Sequence, residues 1–189
     1  MDLLCPICGA PLAKRERALV CPSHHSFDIA RQGYVNLLPV QQKHSQDPGD
    51  TREQVLSRRA FLDTGTYAPI LEALIEAARE YGASGELLDV GCGEGYYCAS
   101  LSRALGLPLT GVDISKEAVR AAAARYKGPN WLCATAAHLP FADGGFDCVL
   151  SMFALTAGAE FFRVLRPGGV FCGCFYVKGE CGRTDRLIR

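Results

Sequence analysis

Four residues near the N-terminus have the types and the spacing of a metal site. Cys5 and Cys8 are separated by two residues, and Cys21 is followed by two histidines, His24 and His25. Two cysteines two residues apart supply one half of a tetrahedral zinc site, and a cysteine with a histidine three or four positions later can supply the other half. The sequence therefore predicts that Cys5, Cys8, Cys21 and His25 bind Zn²⁺, with His24 as the alternative fourth ligand.

A second group of residues has the pattern of a nucleoside-binding turn. The segment LLDVGCGEGYY at 87–97 is an apolar run that ends in Asp89 and continues through three alternating glycines. Because glycine lacks a Cβ atom, a ligand can approach such a turn closely. The next apolar run ends in Asp113, where a carboxylate can accept hydrogen bonds from both hydroxyl groups of a ribose. Together the two runs predict a site for an adenosine-containing ligand.

The glycine spacing indicates which ligand is favoured. Dinucleotide sites carry GxGxxG, whereas Gly91, Gly93 and Gly95 form GxGxG after an acidic residue. This arrangement resembles motif I of class I methyltransferases, which bind S-adenosylmethionine. The segment ATAAHLPF resembles the loop that flanks the adenine in those enzymes and adds Ala136 and His138 to the predicted contacts.

One alternative for the two acidic residues stays open. Asp89 and Asp113 could cap helices in some other nucleotide-binding α/β protein. That interpretation requires four spaced motifs to agree by chance. The sequence therefore favours S-adenosylmethionine as the ligand.

The pattern around these motifs alternates between strand and helix. Helices are predicted near 95–105, 115–126 and 158–165, between five short apolar runs. The runs lie at 87–90, 109–112, 131–133, 148–152 and 170–177. Because each crossover helix must cover a face of the sheet, the alternation predicts a doubly wound parallel sheet. The predicted fold class is α/β, a Rossmann-like class I methyltransferase sheet preceded by a small zinc-ribbon-like module.

The expected domains follow from these elements. We predict a zinc-binding module at 1–40, a linker and helix at 41–66, and an S-adenosylmethionine-binding methyltransferase domain at 67–189. The helix in the middle segment is expected to have Asp50 as its N-cap, and a second helix should follow Pro69. The module has too few residues to form a large core, so bound metal is expected to stabilise it.

Composition narrows the cellular setting. The 20 Lys and Arg residues balance the 20 Asp and Glu residues, so no overall field directs the chain toward nucleic acid or membrane. No secretory segment and no apolar run long enough to span a bilayer is present. We therefore expect a cytoplasmic protein that does not bind membranes, in which the 10 cysteines are metal ligands or reduced buried thiols.

The two signals together resemble one family, the bacterial 23S rRNA (guanine-N1)-methyltransferases. The resemblance is carried by CPICGAPL, CPSHHSFDIARQGYVNLLPVQ, DPGD, RRAFLDTGTY and DVGCGEGYY. It implies S-adenosylmethionine and Zn²⁺ as cofactors, 23S rRNA as partner, and a role for the zinc module in RNA recognition. It also implies that Tyr67, Gly93 and Glu94 contact the cofactor. The sequence does not identify a catalytic residue.

The chain departs from that family in two places. Where the family has an aromatic residue followed by Ala-Pro-Cys, this chain reads Phe153-Ala-Leu-Thr156. The family also continues beyond the position of Arg189, so we expect a C-terminally short sheet with an open edge that a homodimer could cover. Such a chain is expected to bind cofactor and to methylate rRNA weakly. The alternatives are a small-molecule methyltransferase, favoured by the neutral charge, and a cofactor-binding but inactive homologue.

Several basic residues and one tyrosine have two interpretations each. Lys43, His44 and three arginines could contact RNA phosphates, but residues 1–64 hold 8 basic residues against 7 acidic ones, which is equally typical of a solvated surface. Those arginines are Arg52, Arg58 and Arg59. Tyr34 could stack on a base, yet its position in the apolar run YVNLL favours the core.

Overall fold

The computed structural model describes residues 2–40, 48–154 and 157–174. Near the N-terminus, three short strands form an antiparallel sheet in chain order, joined by tight turns. They are β1 (Ala13–Arg15), β2 (Ala18–Val20) and β3 (Ser26–Asp28). Of the linker and helix predicted at 41–66, residues 41–47 lie outside the described residues.

A larger sheet holds six strands, all in parallel pairs, in the order β4-β7-β6-β5-β8-β9. The strands are β4 (Tyr34–Asn36), β5 (Leu87–Val90), β6 (Leu109–Asp113), β7 (Asn130–Cys133), β8 (Phe146–Met152) and β9 (Leu165–Cys174). The five predicted strands are all present, although residues 175–177 of the last predicted run lie outside the described residues. The sixth, β4, was not predicted, because YVN is short and lies inside the segment assigned to the zinc module.

Five helices lie along the described chain, and all five lie between strands of the larger sheet. They are α1 (Arg52–Leu62), α2 (Ala68–Glu80), α3 (Tyr96–Leu105), α4 (Lys116–Arg125) and α5 (Gly158–Val164). Pro69 lies in the first turn of α2, where a missing backbone N–H costs nothing. This agrees with the predicted position of the second helix.

The N-cap of α1 is Thr51, so the prediction that Asp50 caps this helix was wrong. The Thr51 hydroxyl accepts from the Gln54 N–H at 3.3 Å, and the Gln54 side chain accepts from the Thr51 N–H at 2.8 Å. This reciprocal pair is a capping box. The carboxylate of Asp50 pairs with Arg58 instead, and its carbonyl accepts from the Ser115 hydroxyl at 2.6 Å.

The zinc-ribbon sheet packs against the larger sheet through a shared core. Leu19 of β2 and Val35 of β4 belong to one buried cluster with Phe141 and Leu139. The N–H of Leu4 also donates to the Pro140 carbonyl at 2.9 Å. The three-stranded sheet is therefore packed directly onto the larger sheet.

Tyr34 is buried at the edge of the larger sheet, where it pairs with Trp131 across β4 and β7. The prediction that it belongs to the core is confirmed. No helix within 2–40, 48–154 and 157–174 is long and apolar enough to cross a membrane.

Candidate functional site

The four residues predicted to hold zinc converge in the ribbon. One ligand atom from each of Cys5, Cys8, Cys21 and His25 lies within 4.8 Å of all the others. The Cys8 and Cys21 sulfurs are 3.7 Å apart, and His25 Nδ1 lies 3.5 Å from the Cys5 sulfur and 3.4 Å from the Cys21 sulfur. A tetrahedral zinc ion with ordinary bond lengths places two sulfurs about 3.8 Å apart and a sulfur and a nitrogen about 3.5 Å apart. These three distances therefore fit a tetrahedral Zn²⁺ site.

Local turns hold the cluster together. The N–H of Gly9 donates to the Cys5 carbonyl at 2.8 Å, and the N–H of Cys21 donates to the His25 carbonyl at 3.1 Å. A hydrogen bond from the backbone N–H of Ala10 lowers the pKa of Cys8 to about 6, toward the thiolate that binds metal. His24, the alternative ligand, is exposed, lies outside the cluster and has a positive φ of 61°.

The three glycines of the turn after β5, which we call the cofactor turn, serve two purposes. All have positive φ values, between 55° and 86°. A Cβ atom on Gly91 would lie 2.3 Å from the Ala154 Cβ, and one on Gly95 would lie 2.8 Å from the Trp131 ring. A Cβ on Gly93 would meet nothing closer than 3.9 Å. Two glycines therefore permit close packing of the protein on itself, and Gly93 leaves open space along the turn.

Two buried carboxylates lie at the ends of neighbouring strands beside this turn. Asp89 lies on β5 and is 2% exposed, and its Oδ1 has no hydrogen-bond partner among the described residues. Burial, and to a smaller extent the nearby Asp113, raise the pKa of Asp89 to about 7, although the Cys98 side chain lowers it. Asp113 ends β6 and accepts from the N–H groups of Gly93 and Ser115, both at 2.8 Å. Burial raises the pKa of Asp113 too, while those hydrogen bonds lower it.

Glu94 is held by two arginines that the sequence analysis did not connect to the site. Its Oε2 accepts from Arg59 Nε of α1 at 2.8 Å and from Arg125 Nη1 of α4 at 3.4 Å. Its Oε1 has no partner among the described residues, although the side chain is 1% exposed. Glu94 therefore links the turn to both helices and keeps one free acceptor. The two arginines lie 35 and 31 residues from Glu94 in the sequence, so no local sequence pattern could have predicted these ion pairs.

A cleft of about 260 Å³ opens next to Asp113. Its walls come from the segment after β4, from the start of α1 and from the ends of β6 and β7. The lining includes Asn36, Leu38, Asp50, Arg52, Ile114, Ser115 and Cys133. Leu38 and Asp50, which lie between β4 and α1, therefore help to shape the space beside the predicted ribose-binding carboxylate.

The predicted adenine loop is fixed by α5. Glu160 accepts from the Leu139 N–H at 2.7 Å, and Arg163 donates to the carbonyls of Leu139 and Phe141. Ala136 is half-buried on this loop, and His138 is exposed. The loop lies at the end of β7, next to β6, where the motif predicts the adenine.

Tyr67 is the N-cap residue of α2 and is half-buried. Its ring contacts those of Phe61 and Phe153, with centroid separations of 5.2 and 6.2 Å. The structure thus places Tyr67 near the carboxyl ends of the strands, although Tyr67 and the glycine turn are 24 residues apart in sequence, from 67 to 91.

Two of the arginines considered for RNA phosphates are engaged within the protein. Arg58 pairs with Asp50, and Arg59 pairs with Glu94. Arg52 is exposed on the first turn of α1. Lys43 and His44 lie outside the described residues.

Comparisons with known proteins agree with this geometry. Residues 3–46 match the zinc-ribbon family described as RlmA, N-terminal, and residues 88–173 match a methyltransferase domain family. The 23S rRNA (guanine(748)-N(1))-methyltransferase of Streptomyces fradiae is 40% identical over 175 residues, with 88% of this chain and 60% of that protein covered. A protein of Micromonospora griseorubida, named provisionally as a 23S rRNA (guanine-N(1)-)-methyltransferase, is 41% identical over 191 residues, with 88% and 63% covered.

A solved structure from Methanococcus maripaludis, described as a candidate S-adenosyl-L-methionine-dependent methyltransferase, has a TM-score of 0.57 at 17% identity. The match covers 70% of this chain and 68% of that one, and it shows the shared fold. The chain spans about three-fifths of the length of the curated relatives it matches. The chain therefore combines an RlmA-type N-terminal zinc ribbon with a class I, S-adenosylmethionine-dependent methyltransferase domain, and zinc and S-adenosylmethionine are the cofactors that these two domains imply.

Proposed function

We propose that this chain methylates N1 of a guanine in 23S rRNA with S-adenosylmethionine as the methyl donor. The observation that carries the proposal is the likeness to the Streptomyces fradiae enzyme, which spans 88% of this chain. The match therefore reaches beyond the 86 residues of the methyltransferase domain family, from 88 to 173. A methyltransferase with another acceptor would not need to share the ribbon.

The described residues fit the cofactor. Asp89 and Glu94 each present a buried oxygen without a partner, and both can accept hydrogen bonds from the ammonium or hydroxyl groups of a ligand. Gly93 leaves the turn open, and Asp113 ends the next strand, where a ribose is expected. We propose that these residues bind the cofactor together with Tyr67, Gly91, Gly95, Ala136 and His138.

S-adenosylmethionine supplies a methyl group on a sulfonium, so the methyl group is already activated for transfer. The protein must align the acceptor nitrogen with that methyl group and exclude water from the site. The aromatic side chains near Tyr67 supply an apolar wall for this purpose. Guanine N1 also carries a proton, which must leave during the transfer.

The zinc site serves a structural purpose in this account. We propose that Cys5, Cys8, Cys21 and His25 are the four ligands, because their spacing fits a closed tetrahedral site with no position left for water. Zinc binding would stabilise a ribbon whose strands have three residues each. The ribbon would then present a fixed surface to the rRNA.

The direct test is transfer of labelled methyl groups. The chain is incubated with labelled S-adenosylmethionine and either 23S rRNA that lacks the mark or a small-molecule extract. Label in the 23S rRNA fraction is expected, and the Asp113→Ala variant serves as the control for the proposed site. Label confined to small molecules would favour the second candidate function, a small-molecule methyltransferase, which the neutral net charge also favours. Cofactor binding without any transfer would indicate an inactive homologue.

The cellular location and the oligomeric state can be proposed on the same basis. An enzyme that acts on ribosomal RNA works in the cytoplasm, where ribosomes assemble. In the described part of the chain, β9 pairs with β8 alone, and an edge strand of this kind can pair with another chain. Sedimentation at several concentrations would test whether a homodimer forms.

A further inference from the structure

Four aromatic side chains from four different elements meet at the carboxyl end of the larger sheet. Phe61 lies at the end of α1, Tyr67 at the start of α2, Tyr97 in the first turn of α3, and Phe153 directly after β8. We call these four residues the aromatic cluster. The ring centroids of Tyr67 and Tyr97 lie 6.2 and 6.0 Å from that of Phe153, within the range of favourable ring contacts.

The aromatic cluster is partly exposed to solvent and is not part of the buried core. Phe153 and Phe61 are each 47% exposed, although aromatic rings of this size are usually buried in a domain. The hydroxyl of Tyr97 is itself buried and has no hydrogen-bond partner among the described residues. The cluster therefore exposes apolar ring surface to solvent and also contains a buried hydroxyl group.

The backbone at Phe153 has a conformation that a bulky residue rarely adopts. Its φ is 56°, in the left-handed region that favours glycine. The N–H of Phe153 donates to the Cys174 carbonyl of β9 at 2.8 Å, which holds the residue in place. Strain of this kind persists where the surroundings enforce it, and it is concentrated at functional sites.

The cluster lies beside the cofactor turn. Ala154, the residue after Phe153, is so close to Gly91 that a Cβ on that glycine would lie 2.3 Å from the alanine Cβ. Phe153 is therefore one residue from a contact with the turn that is expected to bind the methyl donor. A planar group stacked on Phe153 would lie within reach of that donor.

We infer that the exposed ring of Phe153, supported by Tyr67 and Phe61, is the surface on which the target guanine stacks for methylation. This inference rests on the proposed function. A base inside an RNA helix cannot reach a pocket, so it must first be unstacked, and an aromatic side chain can replace the lost stacking. Phe153 then positions the acceptor and takes no part in proton transfer.

The test uses the full chain with the demethylated cofactor and an RNA hairpin of 23S rRNA. The hairpin carries 2-aminopurine at the guanine that corresponds to the site of the Streptomyces fradiae relative. Phe153→Leu keeps an apolar side chain and removes the aromatic ring. Phe153→Gly also removes the ring, and glycine adopts a positive φ without strain. The glycine variant therefore keeps the test valid if the leucine variant folds poorly. Phe153→Tyr retains the ring. Phe162→Leu, at a ring on α5 that is 60% exposed, is the matched control.

Loss of one stacking contact should weaken hairpin binding and raise the KM for rRNA by about tenfold to a hundredfold in the leucine and glycine variants. Phe153→Tyr and Phe162→Leu should remain near wild type, and cofactor affinity should be unchanged in all four. Equal hairpin affinity in wild type, Phe153→Leu and Phe153→Gly would overturn this inference and leave the proposed function standing. A loss of cofactor affinity that matches the loss of hairpin affinity would also overturn it. A wild-type chain that neither binds the hairpin nor methylates rRNA would overturn the proposed function, and this inference with it.

Discussion

At the scale of single residues, Asp89 is expected to make cofactor binding depend on pH. Burial raises the pKa of Asp89 to about 7, whereas an aspartate in an unfolded chain titrates near pH 4. The folded chain therefore keeps a proton that the unfolded chain loses. The contribution of Asp89 to stability is present below about pH 4 and is lost as the pH rises toward 7. The ionised carboxylate is the form that attracts a positively charged ligand.

We predict that the affinity for S-adenosylmethionine rises between pH 6 and 8 and that Asp89→Asn removes most of this rise. The reason is that an amide at this position cannot ionise. Calorimetric titration at several pH values measures the effect. Asp28→Asn, at an exposed position on β3, is the matched control and should keep the wild-type profile. The same pH profile in wild type and Asp89→Asn would contradict the assignment.

Asp113 is the second carboxylate of the proposed site, and it is predicted to bind the ribose of the cofactor. A carboxylate that accepts two hydroxyl hydrogen bonds contributes about 1–3 kcal/mol, so Asp113→Ala should weaken cofactor binding by about tenfold to a hundredfold. The carboxylate also accepts from Gly93, so thermal unfolding without cofactor must be measured in parallel. Full cofactor affinity in a folded variant would show that Asp113 is not a ligand.

At the scale of elements, α1 and α4 hold the cofactor turn through charge. Arg59 and Arg125 both donate to Glu94, whose side chain is 1% exposed, and Arg125 also pairs with Asp63 at 2.8 Å. A buried carboxylate that loses a partner is costly, because the remaining charge is poorly solvated. The turn and the two helices should therefore loosen together.

We predict that Arg59→Gln lowers the free energy of unfolding by about 1–3 kcal/mol and also weakens cofactor binding. Arg125 remains near Glu94, which keeps the loss below that of a fully unpaired charge. The matched control is Arg120→Gln, which removes a pair with Glu117 between two partly exposed side chains and should cost no more than about 1 kcal/mol. Chemical denaturation compares the variants. Equal losses in both would mean that the Glu94 pair has no special role.

At the scale of the whole molecule, the ribbon and the methyltransferase sheet share one core. Leu19 of the ribbon is buried in the cluster that contains Phe141, so loss of zinc should affect both parts. We predict that Cys8→Ser loses the metal and lowers the Tm of the entire chain in a single transition. Metal analysis and calorimetry measure the two effects.

The control for the zinc prediction is His24→Asn, since asparagine tolerates a positive φ and the residue lies outside the cluster. This variant should keep one zinc per chain and the wild-type Tm. Loss of zinc in His24→Asn, or wild-type metal content in Cys8→Ser, would contradict the ligand assignment.

Local patterns predicted much of this architecture. The strands that carry Asp89 and Asp113 and the four-residue metal cluster were evident from the spacing of residues, because short segments of the sequence define them. The strand at Tyr34–Asn36 and the link from Arg59 to Glu94 were not, since both depend on pairings between distant segments. The N-cap of α1 was misplaced by one residue, because aspartate and threonine are both favoured at that position.

The central claim, that the chain methylates guanine N1 in 23S rRNA, is tested most directly by mapping the product at nucleotide resolution. The chain, in excess over 23S rRNA that lacks the mark, is incubated with S-adenosylmethionine for a single turnover, so that slow transfer is still detected. Because N1 lies on the pairing edge of guanine, its methylation stops reverse transcription. The account predicts one stop at a single guanine and 1-methylguanosine in the digested RNA. A methyl group on another atom, or none in the RNA although the cofactor binds, would contradict it.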